Sequence, residues 1–277
     1  MTIAIIDGDV LVYQACKNRY NRSNTTFQVI DLDDDGDKIL PQFTKEEDAK
    51  YLQTCWENFN RDLSKLLERL YCTDFLMAVK GDGCFRHDLY DDYKKNRQVF
   101  DPKRAQMINE FVPVLRKLAI FEGIAVASDG READDLLRTW AEEAKRAGQE
   151  HIICSIDKDL RCIPGKHFIM HYEPEKQVIL NISEDEAKRH YYEQLLKGDP
   201  TDNIPGVPRV GEVKAKKLIS ECTTETEMQE RVVEAYLIAY GDAWYDYFLI
   251  NAKLIHLQTH IDDYFDCRHW PIIQELC

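Results

Sequence analysis

The sequence predicts an α/β fold: a largely parallel central sheet flanked by helices, then a C-terminal region that is nearly all helix. Three observations carry this. Short β-branched or apolar runs alternate with helical spacing as far as about residue 182. Three of the four strand candidates end in acids. Beyond residue 182 the strand pattern stops and helical spacing continues.

The strand candidates are "TIAIID" (2–7), "DFLMAVKGD" (74–82), "GIAVAS" (123–128) and "HIICSIDKD" (151–159). The first is apolar, but it lacks a basic leader and meets Asp7 at once, so it reads as a strand and not a signal peptide. Helical patterns cover roughly 46–72, 103–121 and 132–147. "DLDDDGD" (31–37) resembles half of a calcium loop. Gln42 stands where a bidentate Glu is needed and Lys38 where an apolar residue is needed, so a β-hairpin with an acidic tip is expected. In the helical region, "SEDE" from Ser183 to Glu186 is a capping box that opens a helix to about Lys197. "EVKAKKLISEC" restarts a helix after the turn-rich loop 198–211. Helices at about 225–240 and 242–258 are expected to pack back on the sheet.

The chain has 277 residues, 44% of them hydrophobic, enough for one large domain or two joined ones. No apolar run reaches the ~18 residues of a membrane span. The nine cysteines show no CxxC pair and read as reduced thiols of a cytosolic protein. A net charge of −14 argues against coating nucleic acid by charge alone. It is compatible with an enzyme whose acids surround cations.

In parallel sheets the ligand crevice lies at the carboxyl ends of the strands. Asp7, Asp82, Asp157 and Asp159 sit at such ends, and Glu132, Asp134 and Asp135 open the helix after the third strand. Two carboxylates about 4 Å apart repel by about 4 kcal/mol at an effective dielectric of 20. A cluster of this size therefore needs cations. All-oxygen donors without His or Cys suit Mg²⁺ or Mn²⁺, and paired ions suit phosphodiester hydrolysis. Asp199 and Asp202 add two acids in the loop "GDPTDNIPGVPRVG", where they can also cap the turn. Gly206 and Gly211, with Lys214, Lys216 and Lys217 behind them, form a glycine hairpin and basic helix suited to phosphate. Residues 205–220 hold four basic residues and one acid, against the acidic whole. Asp9 reads as a helix N-cap rather than a ligand.

The set "IIDGD", "VKGD", "FRHDLYDDYKKNR", "GREADD", "SIDKDL" and "GDPTDNIPGVPRVG" resembles the flap endonuclease/5′ nuclease superfamily in order and spacing. "DGDVLVYQA", "SIDKDLRCIP" and "NAKLIHL" are most similar to the 5′→3′ exonucleases of short-tailed bacteriophages. The resemblance implies a PIN-like domain over 1–182, with a gateway segment at about 83–110. It further implies a helical region over 183–277 with a helix–three-turn–helix that binds DNA. The implied metal ligands are Asp7, Asp82, Glu132, Asp134, Asp135, Asp157, Asp159, Asp199 and Asp202. Lys94 resembles the residue on the scissile phosphate and Arg97 its partner. Arg86 and Lys95 would hold phosphate nearby, and Tyr90 and Tyr93 would stack on an unpaired base or simply pack. Asp91 departs from the family, which often has proline there, and the insertion 17–45 matches no family motif.

The implied cofactors are two Mg²⁺ ions, replaceable by Mn²⁺, with K⁺ at the helix–three-turn–helix. The implied substrate is duplex DNA with a 5′ end or flap, with RNA·DNA hybrid as a second substrate. The resemblance places a monomer without membrane contact in the cytoplasm of an infected bacterial cell, in phage DNA replication or recombination. A PIN-type ribonuclease would share the acids but has no use for the glycine hairpin and lysine helix. A non-catalytic DNA-binding scaffold would be expected to lose acids.

Overall fold

The computed structural model describes residues 2–22, 31–32, 38–39, 45–97, 104 and 107–276. Strand β1 (Ile3–Asp7) is the centre of a six-stranded sheet. Its neighbours are β4 (Asp74–Val79) and β6 (His151–Ser155), both parallel to it. Outside β4 lies the short β5 (Val126–Ala127). Outside β6 come β7 (Gly165–Ile169), parallel, and β8 (Ile179–Ile182), antiparallel. The order is β5-β4-β1-β6-β7-β8. The chain leaves β1 toward one side for β4 and toward the other for β6. This reversal opens a crevice at the carboxyl ends of the three strands.

Side-chain alternation along β1 sends Ala4 and Ile6 to one face and Ile5 to the other. On the first face they meet α1 (Gly8–Arg22), α2 (Lys45–Leu70) and α4 (Val112–Phe121) through Leu11, Phe59 and Leu115. On the second, Ile5, Ala78 and Ile153 pack on Leu137 and Ala141 of α5 (Ala133–Arg146). Gly8 is where α1 turns off β1. A Cβ there would stand 2.7 Å from Met77 and Val79 side-chain atoms, so only glycine allows the approach.

The hairpin expected at 31–39 is present as β2 (Asp31–Leu32) paired antiparallel with β3 (Lys38–Ile39), its acidic tip lying outside the described residues. Three expectations need correction. "GIAVAS" pairs over only two residues, Val126 and Ala127. The helix expected over 103–121 is helical at Arg104, runs as a π turn over Met107–Phe111 and becomes α-helical at Val112, where Pro113, which cannot donate a backbone bond, sits in the first turn. The late helices do not pack on the sheet. Helices α8 (Glu225–Tyr240) and α9 (Trp244–Ile255) close on α6 (Glu184–Lys197) instead. Val232, Val233, Tyr236 and Phe248 join Leu195 and Leu196 there in a separate core. These helices carry enough apolar surface to bury one another.

Helix α6 starts as the Ser183 capping box requires. The Glu186 N–H donates to Ser183 Oγ at 3.2 Å, and the Ser183 N–H donates to Glu186 at 2.8 Å. Helix α7 (Glu212–Ser220) follows the loop, and a short α10 (Pro271–Leu276) ends the fold. Helix α3 (Phe85–Leu89) opens the gateway segment, of which residues 98–103 and 105–106 lie outside the described residues. Among the described residues no helix is long and apolar enough to cross a membrane.

Candidate active site

A cleft of about 830 Å³ opens at the carboxyl edge of β1 and β6. Asp7, Glu132, Asp134, Asp157, Asp159 and Asp202 line it, with Lys94 and Arg97 over them. A relay of hydrogen bonds sets the floor. Ser155 Oγ donates to Asp7 at 2.8 Å and accepts from the Asp157 N–H at 3.0 Å. Asp157 in turn accepts from the Asp159 N–H at 2.8 Å. Gln194 of α6, buried, donates to Asp159 at 2.7 Å and ties the helical region to the floor.

Lys94 and Arg97 neutralise part of this charge. Lys94 has a left-handed backbone, φ 58°, held by its N–H donating to Asp202 O at 2.9 Å. An L-residue with φ > 0 stores strain, and here it turns the side chain back over the site. Its ammonium pairs with Glu132 and lies 3.3 Å from Asp202. The Arg97 guanidinium pairs with Asp202. Burial pulls the Lys94 ammonium down, but Glu132 and Asp202 outweigh it and raise its pKa.

Among the described residues the remaining acids form no ion pair. Burial, then Asp9 and Asp157, push Asp7 up to about 7. Burial, then Asp157 and Asp199, push Asp159 up to about 7. Asp134 is raised well above its ordinary value by burial and by Asp157 and Asp7, and Asp157 is raised by burial first. Neighbouring carboxylates that raise one another's pKa are a strong donor set for hard cations. Among the described residues no three acids are gathered into a ready-made inner cage.

Several expected residues lie elsewhere. Asp82 is exposed and outside the cleft. β4 ends three residues earlier, at Val79, and the next turn is tied to Asp129 and Gly130 through Asp82 N–H and C=O at 2.8 Å each. Asp135 and Arg86 are buried and spent on each other, so neither reaches metal or phosphate. Tyr93 is 2% exposed, with its hydroxyl donating to Glu132 at 3.0 Å, which excludes base stacking. Tyr90 is half-buried against the helical core. Asp199 is not in the cleft lining, but its carboxyl lies against that of Asp159, and it caps the Thr201 N–H at 2.8 Å. Lys95 is exposed and pairs with Asp92 at 3.1 Å. Gly206 is buried and its N–H donates to Asn251 Oδ1 at 3.2 Å, so it has no donor left for phosphate. It instead lets the loop cross itself. A Cβ on Gly206 would fall 2.3 Å from the Gly198 nitrogen. Gly211, Lys214, Lys216 and Lys217 are exposed at the start of α7, with Lys216 paired to Glu212 at 2.7 Å.

Sequence reasoning missed other cleft residues. Asp9 lines the cleft and is clamped by Arg116 through bonds of 2.7 and 3.0 Å, so it is no N-cap. Lys80, Arg104 and Arg131 also line the walls. Arg116 is one of two adjacent cations in the otherwise apolar helix "VPVLRKLAIF", which was the available signal.

The family model for the N-terminal, resolvase-like domain of 5′–3′ exonucleases matches residues 2–192. The chain belongs to the 5′–3′ exonuclease family. The DNA polymerase I of Bacillus caldotenax is 33% identical over 177 residues, 60% of this chain and 20% of that protein. The chain thus spans about a fifth of the length of the polymerase relatives it matches. Flap endonuclease Xni of Pseudoalteromonas translucida is 25% identical over 208 residues, 72% of this chain and 79% of that one. The fold matches that of the bacteriophage T5 5′-exonuclease, solved with zinc, at TM-score 0.56 and 15% identity, covering 92% of this chain and 100% of that one. A T5 flap endonuclease structure with DNA and metal ions matches at TM-score 0.55 and 14% identity, covering 92% and 99%.

Proposed function

We propose that this 5′–3′ exonuclease family member is a divalent-metal-dependent phosphodiester hydrolase acting on duplex DNA at 5′ ends and 5′ flaps. The observation that carries the reading is the cleft itself. Among the described residues Asp7, Asp134, Asp157 and Asp159 form no ion pair, while Lys94 and Arg97 pair with Glu132 and Asp202 in the same cleft. Asp7, Asp134 and Asp157 would face the metal directly, with Asp159, Glu132 and Asp202 beside them. The ions, when bound, supply an activated water and stabilise the leaving oxygen. The protein side of the reaction is electrostatic. Lys94 and Arg97 exchange Glu132 and Asp202 for the scissile phosphate and follow its developing charge. Ser155 and Gln194 keep the floor acids oriented.

The α6–α7 hairpin is the duplex anchor. The exposed N-terminus of α7, with Lys214 and Lys217, faces solvent and suits a phosphate backbone. We place the helix–three-turn–helix here. The T5 structure with DNA and metal ions supports the substrate class. Incubation of 5′-labelled blunt, flapped and RNA·DNA duplexes with Mg²⁺, Mn²⁺ or EDTA tests the reading. Metal-dependent release of short labelled products from the DNA duplexes is expected, and release from single-stranded RNA alone would favour a ribonuclease instead.

A further inference from the structure

The carboxylate cleft continues past β6. Gln14 and Tyr172 line it and also line a second groove of about 400 Å³ beyond the carboxyl end of β7. Leu66, Phe168 and Met170 form an apolar floor there. Lys65 and Arg69 of α2 stand on its rim. Arg69 is fixed, lying over the Phe168 ring at 5.2 Å and bonded to Gln177. Lys65 is exposed and forms no ion pair with a described residue. The acid in this groove, Asp62, is paired with Arg61 at 3.0 Å. The groove is therefore locally cationic in a chain of net charge −14. At the junction the Tyr172 ring is 60% exposed and stacks on His171 at 4.3 Å between centroids. Gln14 Nε2 donates to Met170 O at 3.1 Å and holds the passage between groove and cleft.

We propose that this groove holds an unpaired stretch of the nucleic-acid strand that continues from the cleft. The proposal rests on the nuclease reading above and adds a single-strand subsite to it. The chemistry matches a single strand. The exposed Tyr172 ring takes a base face, the buried Leu66, Phe168 and Met170 back the groove, and the rim cations take phosphates. A duplex hides its base faces within the stack, so only an unpaired strand gains from both features. The volume lies near the lower end of small-ligand sites, about 300–1,000 Å³, which suits about one nucleotide at a time.

The test is fluorescence anisotropy in Ca²⁺, without turnover, over a salt series. The probes are one blunt duplex and the same duplex with a 5′ single-stranded extension. The proteins are the wild type, Lys65→Glu, and Lys117→Glu, an exposed control that lines neither cavity. Wild type is expected to bind the extended duplex several-fold more tightly than the blunt one. Lys65→Glu removes that preference, with a salt slope on the extended probe lowered by about 0.7, the value for one phosphate contact on a single strand. It leaves blunt-duplex binding unchanged, as does Lys117→Glu with both probes. A 2-aminopurine base in the extension is quenched on binding to wild type and less so to Tyr172→Ala. Equal loss on both probes, or none on either, would overturn the groove assignment while the nuclease reading stands. A wild type that binds neither probe would sink the nuclease reading itself, and the groove with it.

Discussion

Arg86 and Asp135 hold each other through two hydrogen bonds of 2.6 and 2.8 Å, at 1% and 0% exposure. Arg86 also donates to Leu254 O at 2.9 Å and to His256 O at 2.6 Å. Asp135 accepts the Glu132 N–H at 3.0 Å and the Gln258 N–H at 3.1 Å. Burial alone would raise the Asp135 carboxyl, yet Arg86 and these N–H groups hold it below its ordinary value. One ion pair thus joins the gateway helix, the first turn of α5 and the end of α9. That turn carries Glu132 and Asp134, so the pair sets the wall of the cleft without touching it.

Breaking this pair from one side leaves a buried charge. Asp135→Ala or Arg86→Ala should destabilise the fold by about 3–5 kcal/mol. Denaturant unfolding measures it. A loss within experimental error of zero would mean that the pair is not closed in solution.

The metal-free protein should be most stable on the acid side. Asp7 and Asp159 have folded pKa values of about 7, above the ordinary 3.8. Between those values the folded state binds more protons than the unfolded one, so stability falls as pH rises through that window. Mg²⁺ binding reverses the preference, since it takes the ionised form. The melting temperature in EDTA should therefore drop from about pH 4 to pH 7, and the shift produced by Mg²⁺ should grow over the same range. A flat EDTA profile contradicts the burial of these acids.

The centre of the sheet and its acids were legible in the sequence because β1, β4 and β6 are apolar runs that end toward the cleft. Asp7, Asp157 and Asp159 followed from that rule. Asp82 did not, because the turn after β4 is tied to Asp129 and Gly130 and leaves its side chain exposed outside the cleft. Strands β7 and β8 were hidden. "GKHFI" mixes charge with apolar residues, and "ILNI" is only four residues long. Arg86 and Asp135 were assigned to phosphate and metal because residue type alone does not reveal a partner 49 positions away. Tyr93 looked like a stacking platform for the same reason, although its ring closes the helical core.

The proposed role of Lys94 puts it on the reaction more than on binding. Lys94→Ala should lower the single-turnover rate by about 10²–10³, the range for losing one donor to a developing oxyanion. Affinity should change little. Lys95→Ala, which removes only an exposed pair with Asp92, should be mild. Rapid-quench kinetics separates the two. A loss explained wholly by weaker binding would move the catalytic cation to Arg97.

The basic helix α7 should read out as salt dependence. Lys214→Ala with Lys217→Ala should flatten the slope of log affinity on log salt by up to about 0.9 per lost contact. Lys216→Ala should contribute less, because Glu212 already holds that ammonium at 2.7 Å. An unchanged slope in the double variant would remove α7 from the interface.

The most direct test of the cleft as a metal-dependent nuclease centre combines one substrate with one substitution. A 5′-labelled flapped DNA duplex is incubated with wild type and with Asp134→Asn in Mg²⁺ or EDTA, and Mg²⁺ binding to both proteins is followed by calorimetry. The account predicts short labelled products from wild type in Mg²⁺ only. It predicts near-complete loss of both cleavage and Mg²⁺ heat in Asp134→Asn, with the fold retained. Cleavage that persists in EDTA, or an Asp134→Asn protein that binds Mg²⁺ and cuts like wild type, would contradict it.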